Sequence, residues 1–379
     1  MKKAFLSSTA IIMVLCLILT GCGKDGSNDD SSLAPSESSS SVQEQSKEEE
    51  QPAVQEQTSE EEQPDDVPQT EEEASALEEV QPDDVSQTAD GTPIVYFTSD
   101  ISAEGLVRIY EQLGWDPTGK VAVKISTGEP PASNYLRPEL IKDLVQMLNG
   151  TIVECNTAYG GSRASSAMHY QVAEDHGFTA IADFDLMDEE GEIEWLFTGG
   201  IRLDKIIVGS HAQNYTDWVI LSHFKGHAMA GFGGAIKNVG IGISSPSGKV
   251  YVHSAGTRTS GSIMYSDQDA WLEALAEMVL GFRDHVGEEH IIYINVMNRL
   301  SVDCDCDGHP DEPDMHDIGI LASFDPVALD QACVDLVYQA ENNDSLVNRI
   351  ESRHGIHTLE HAEEIGLGSR TYQLVNIDE

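Results

Sequence analysis

The sequence predicts an α/β protein, a largely parallel or mixed sheet flanked by helices, carried on a long polar tail. Short apolar runs rich in β-branched residues alternate with amphipathic stretches between Val121 and Val337. The tail differs sharply in composition: residues 23–92 hold 22 acidic residues against Lys24 and Lys47, and no Phe, Tyr, Trp or Cys. The remaining body, residues 93–379, is long enough to bury a large core.

At the amino end, Lys2 and Lys3 precede an apolar run from Ala10 to Leu19 and then Leu19-Thr20-Gly21-Cys22. The run is shorter than the roughly 20 residues of a spanning helix, and the order of parts is that of a secretory signal. Leu-Thr-Gly-Cys resembles the bacterial lipoprotein processing box. That resemblance implies a signal peptide over residues 1–21 and a lipidated Cys22 at the mature terminus. The expected location is the extracytoplasmic face of a bacterial cell membrane, with the lipid as membrane partner; several acyl chains anchor stably where one would not. Residues 22–92 then form a disordered acidic linker, because too little apolar surface is present to offset ordering entropy.

In the body, Val121 to Ile125 is a strand. Arg137 to Leu148 has helical spacing with Pro138 at its start, and Thr151 to Glu154 is the next strand. Ser165 to His176 forms a helix ended by Gly177, followed by a strand at Ala182 to Leu186. Lys205 to Val208 and Trp218 to Leu221 read as buried strands. Asp269 to Val286 places Trp271, Leu272, Leu275, Met278, Val279 and Phe282 on one helix face. His290 to Val296 is a strand, and Asp325-Pro326 opens a helix running to Val337, Asp at the N-cap and Pro at the first position. Ligands of such sheets sit at the carboxyl ends of the strands. The formal net charge of −45 repels a nucleic-acid backbone and favours cations or neutral ligands over anions.

Two stretches carry chemistry. Ser222 to Gly242, SHFKGHAMAGFGGAIKNVGIG, combines His223, Lys225, His227, Lys237 and Asn238 with six glycines. The glycines make one continuous helix improbable and permit close backbone approach to a ligand. The spacing fits neither the Walker loop nor the dinucleotide fingerprint. The second stretch, Ser301 to Asp314, is SVDCDCDGHPDEPD.

Ser222 to His227, Gly231 to Gly242, Cys304-Asp305-Cys306 and Asp317 to Ala332 together resemble the signature of the DUF362 family, over nearly all of residues 93–379. The resemblance places His223, Lys225, His227, Lys237 and Asn238 in a shared pattern, taken here as catalytic candidates, without defining a reaction. It also implies kinship with proteins that carry ferredoxin-type iron–sulfur modules. This chain lacks the four-cysteine ferredoxin run.

For the acidic loop, several readings stay open. Cys304 and Cys306, with Cys333 and Cys155, would offer soft thiolates to zinc or iron; an iron–sulfur centre on all four is the less favoured form. Asp303, Asp305, Asp307, Gly308, Asp311 and Asp314 fall at positions 1, 3, 5, 6, 9 and 12 of a calcium loop. A disulfide, expected outside the cytoplasm, and an empty acidic loop complete the set. The functional expectation is a metal-dependent or redox-linked protein of undefined substrate, acting with a small molecule or a redox partner. Its alternative is a non-catalytic lipoprotein that binds a metal or small molecule.

Overall fold

The structure, a computed structural model, describes residues 86–264 and 267–378. The signal peptide, Cys22 and nearly all of the linker lie outside the described residues. No helix among those described is long and apolar enough to cross a membrane.

In chain order the elements are β1 (Ile94–Thr98), α1 (Ala103–Gln112), β2 (Val121–Lys124), α2 (Pro138–Met147), β3 (Thr151–Glu154), α3 (Ser166–Asp175) and β4 (Phe184–Leu186). Next come β5 (Glu192–Leu196), β6 (Lys205–Gly209), β7 (Asp217–His223), β8 (Lys225–His227), β9 (Gly231–Gly233), α4 (Ala235–Gly242), α5 (Pro246–His253) and α6 (Gln268–Val286). The chain closes with β10 (Ile291–Met297), β11 (Gly319–Ser323), α7 (Pro326–Gln339), α8 (Asp344–Ser352), α9 (His357–Glu364) and β12 (Gln373–Asn376).

Eight strands form one sheet in the order β12-β1-β11-β10-β7-β2-β3-β4. The run from β10 to β4 is parallel throughout, and β11 is antiparallel to both of its neighbours. The sheet is therefore mixed and mostly parallel, as the sequence predicts. Along β7 the side chains alternate between two cores: Trp218 and Ile220 enter one, Val219 and Leu221 the other. A strand buried on both faces has no reason to alternate polar and apolar residues, and its sequence reads as a continuous apolar run. The predicted buried strand from Lys205 to Val208 is present but lies outside the main sheet. As β6 it pairs with β5 in a separate two-stranded sheet.

The predicted cap of α7 is present. Asp325 Oδ1 accepts from the Val327 and Ala328 amides at 2.8 and 2.9 Å, and Oδ2 accepts from the Ser369 amide at 2.8 Å. Asp325→Ala removes all three hydrogen bonds and is expected to cost about 1–2 kcal/mol, read as a lower denaturation midpoint with an unchanged m-value.

Candidate functional site

Parallel strands align their carboxyl ends, and a cavity of about 180 Å³ opens at that edge. Lys124 ends β2, Glu154 ends β3 and His223 ends β7; all three line it. Strand β8 adds Lys225 and His227, α4 adds Lys237 and Asn238, and α5 adds Lys249 and His253. Arg163 enters from the segment before α3, and Cys304, Asp305 and Cys306 from the acidic loop.

Two glycines make this convergence feasible. A Cβ on Gly226 would lie 2.2 Å from the Val302 carbonyl oxygen, so only glycine lets the acidic loop pass over β8. The Gly226 amide donates to the Ser301 carbonyl at 2.8 Å there. Gly234 is the N-cap of α4 and supplies no side-chain acceptor. Asp330 of α7 does so instead, accepting from the Ala235 and Ile236 amides at 2.8 and 3.0 Å. A Cβ on Gly234 would lie 2.3 Å from Asp330 Oδ1. The two halves of the long motif, some 95 residues apart, are thus one capping unit that orients the helix bearing Lys237.

The electrostatics run against the charge of the whole chain. Five cationic side chains, Lys124, Arg163, Lys225, Lys237 and Lys249, share the cavity with two carboxylates, Glu154 and Asp305. The expectation from net charge, cations or neutral ligands, does not carry over to this site. Net charge is set by the acidic exterior and tail, whereas the local field is set by the nearest buried groups.

Each carboxylate serves particular cations. Glu154 lies 3.8 Å from Lys124, 3.7 Å from Arg163 and 2.9 Å from His169. Burial works against its ionisation, but Lys124, His169 and Arg163 hold the carboxyl well below its usual range. Asp305 lies 3.1 Å from Lys225 and 2.8 Å from His223. Against its own burial, Lys225 and His223 hold it low in the same way. Lys124 also donates to Asn238 Oδ1 at 3.1 Å, and burial lowers its ammonium to about 8. Lys249 donates to the Ser244 carbonyl at 2.5 Å, and burial lowers it too. Lys237 makes no hydrogen bond or ion pair with any described residue; burial and the neighbouring Lys225 lower it to about 7.

The histidines are set in different roles. His223 faces Asp305 Oδ1 through Nδ1 at 2.8 Å and the Asn298 carbonyl through Nε2 at 2.6 Å, so neither nitrogen is free. His227 Nδ1 accepts from the Met229 and Ala230 amides at 3.2 and 2.9 Å, which leaves the proton of the neutral ring on Nε2. His253 is the reverse: Nδ1 donates to the Lys249 carbonyl at 2.7 Å, and Nε2 keeps a lone pair. Burial holds both rings neutral, lowering His227 well below its ordinary value and His253 to about 4. The cavity wall therefore holds one imidazole donor and one imidazole acceptor. Asn238 is a clamp: its Nδ2 donates to the Lys124 and Leu221 carbonyls and to Ser222 Oγ at 3.1–3.2 Å, tying α4 to β2 and β7.

The acidic loop resolves into something narrower than its sequence allowed. Its carboxylates diverge, four of the five aspartates drawn to nearer partners. Asp303 meets Arg349 at 3.3 Å, Asp305 turns inward, Asp307 accepts from the His309 amide and Asp314 from Ser345 Oγ; Asp311 is exposed. The calcium arrangement of Asp303, Asp305, Asp307, Asp311 and Asp314 is not formed. Nor do the four cysteines converge. Cys333 is buried in α7 beside Asn295, 3.4 Å away, and Cys155 donates to the Ile243 carbonyl at 3.2 Å. Burial pushes Cys155 up to about 12 and Cys333 well above its ordinary value, the reverse of what a thiolate ligand needs.

Cys304 and Cys306 are joined in a disulfide. With His227 they form a group able to hold a metal ion, its candidate ligand atoms all within 4.8 Å of one another. Two changes must precede binding: reduction of the sulfurs, and release of His227 Nδ1 from its two amides. As it stands, the group offers sulfur and an imidazole N–H.

All five motif candidates, His223, Lys225, His227, Lys237 and Asn238, thus share one cavity with Cys304, Asp305, Cys306 and Cys155. Lys124, Glu154, Arg163, Lys249 and His253 were not anticipated. A charged residue closing an apolar strand, as in Val121-Ala122-Val123-Lys124 and Thr151-Ile152-Val153-Glu154, was the available signal for two of them.

Fold and site define an α/β protein with a buried, cation-rich cavity at the carboxyl edge of its sheet. Residues 121–335 match the model of the family described as "Domain of unknown function (DUF362)", and the chain belongs to that family. No curated protein matches it. Among solved structures it is similar to the lactate racemase apoprotein from Thermoanaerobacterium thermosaccharolyticum, at 16% identity and a TM-score of 0.35. That match covers 57% of this chain and 52% of the other, so the chain spans about half of that protein.

Proposed function

We propose that this protein is a membrane-tethered extracytoplasmic enzyme whose cavity takes a small anionic substrate, with the Cys304–Cys306 pair as a redox-linked element of its wall. One observation carries the reading: four buried cations and the partly exposed Lys237 line a cavity with two carboxylates, and Lys237 and Lys249 have no carboxylate partner of their own. Burying uncompensated charge is costly unless a partner arrives, and an anion is that partner. The two complementary imidazoles then stand ready to give and take a proton at a bound molecule.

Calorimetric titration with oxalate tests the reading. Saturable binding that weakens at least tenfold in Lys249→Met supports it; equal affinity in both proteins contradicts it. The tether is tested separately. In cells expressing Cys22→Ala, the protein should leave the membrane fraction and appear soluble, whereas unchanged membrane recovery would remove the lipid anchor from the account.

A second reading is favoured by the His227, Cys304 and Cys306 cluster. Reduced, the two thiolates would hold a soft ion such as zinc. Metal content after gentle reduction, compared with a Cys304→Ser/Cys306→Ser variant, decides it: near-stoichiometric metal only in the parent favours this reading.

A further inference from the structure

Of the five cations around the cavity, four are committed. Lys124 and Arg163 serve Glu154, Lys225 serves Asp305, and Lys249 donates to a backbone carbonyl. Lys237 alone has no hydrogen-bond or ion-pair partner among the described residues, yet its side chain lines the cavity. It is held there by design of the fold. It sits in the first turn of α4, whose start is capped by Asp330 and whose next residue, Asn238, is clamped to β2 and β7. Over the bare backbone of Gly233 it converges with Lys225: a Cβ there would lie 3.8 Å from Lys225 Nζ and 3.9 Å from Lys237 Cδ.

An ammonium whose task is only to hold an anion works best when fully charged. Lys237 is placed for the opposite. Burial and the adjoining Lys225 bring it to about 7, so a large share carries a free lone pair near neutrality. A desolvated amine next to another cation is the arrangement that makes lysine a nucleophile toward carbonyl carbon.

We propose that Lys237 forms an imine with the carbonyl group of a small 2-oxo acid whose carboxylate is held by the neighbouring cations. The proposal rests on the anion-site reading and names its substrate class. In the step, the Lys237 lone pair forms the C–N bond and the carbonyl C–O bond breaks. The oxygen leaves as water with the two protons of the amine, so no oxidant or reductant is consumed. His227 Nε2–H and His253 Nε2 are the donor and acceptor in the same wall through which those protons move.

The test is reductive trapping of the purified protein with glyoxylate and cyanoborohydride near pH 7, read by peptide mass spectrometry, with and without oxalate. Oxalate carries the carboxylates but no electrophilic carbonyl for an imine. The expected result is an adduct on Lys237 ahead of the exposed Lys120 and Lys142, at least tenfold reduced by oxalate. Equal labelling of all three lysines, or labelling of Lys120 and Lys142 alone, would overturn the proposal. If oxalate binds by calorimetry but Lys237 is not trapped, the imine is wrong and the anion site stands. If neither occurs, both fall. Because the parent protein carries the readout, no variant has to fold for the result to count; Lys237→Arg then serves as a control in which the major adduct should disappear.

Discussion

Asp305→Ala is expected to destabilise the fold by about 3–5 kcal/mol, the usual consequence of removing one member of a buried ion pair. Asp305 is the carboxylate for both His223 and Lys225, and all three are buried. Its loss leaves an ammonium facing Lys237 with no compensating charge. The pH dependence follows from the same contacts. Because the folded carboxyl lies below its unfolded value of 3.8, its contribution is in place above that pH and is lost as the pH falls through and below it. Parent and variant should therefore differ most near neutrality and converge in acid. Urea unfolding at a series of pH values measures this; a constant difference down to the lowest pH would show that the carboxylate charge is not the source.

Oxalate affinity is expected to fall as the pH rises above about 7. Lys237 and Lys124 are lowered to about 7 and about 8, so both are charged in mildly acidic solution and largely neutral above 8. An anion binds the charged forms better, and binding is accompanied by proton uptake in that window. The apparent Kd should rise by up to about tenfold per pH unit between about 7 and 8, where Lys237 titrates, and more steeply above about 8, where Lys124 adds a second unit of slope. A Kd that does not change between pH 6 and 9 would mean that neither lysine faces the ligand. The same titration of Lys237→Met should lose the lower part of the slope and retain the part due to Lys124.

Much of the fold is legible because it is written in local pattern. The continuous apolar runs of β2, β7 and β10 report strands buried on both faces, and the Asp325-Pro326 start of α7 reports its cap. Strands β8 and β9 escape such reading, since three residues each, with glycine in both, show no periodicity. The edge strand β12 escapes for a different reason: it is mostly exposed and exists through pairing with β1, over 270 residues away. In the candidate site, the charged and polar residues of the dense motif from Ser222 to Gly242 meet in one cavity. Lys249 and His253 did not stand out, because their meaning depends on α5 packing against the same cavity. In the acidic loop, Cys304 and Cys306 remain part of a candidate metal group with His227, whereas the regular spacing of the aspartates does not bring them together. Which carboxylates converge depends on partners such as Arg349 and Lys225, which no spacing within the loop records. Net charge does not describe the cavity, since an exterior rich in Asp and Glu says nothing about the five cations that line it.

The central claim is that the cavity is built for an anion. Anomalous diffraction from crystals soaked in selenate tests it most directly, because the scatterer itself is the anion. The account predicts a selenium peak inside the cavity, within hydrogen-bond reach of Lys237 and Lys249, displaced when oxalate is added to the soak. A cavity without a peak, in crystals where selenate decorates only the outer surface, would contradict it.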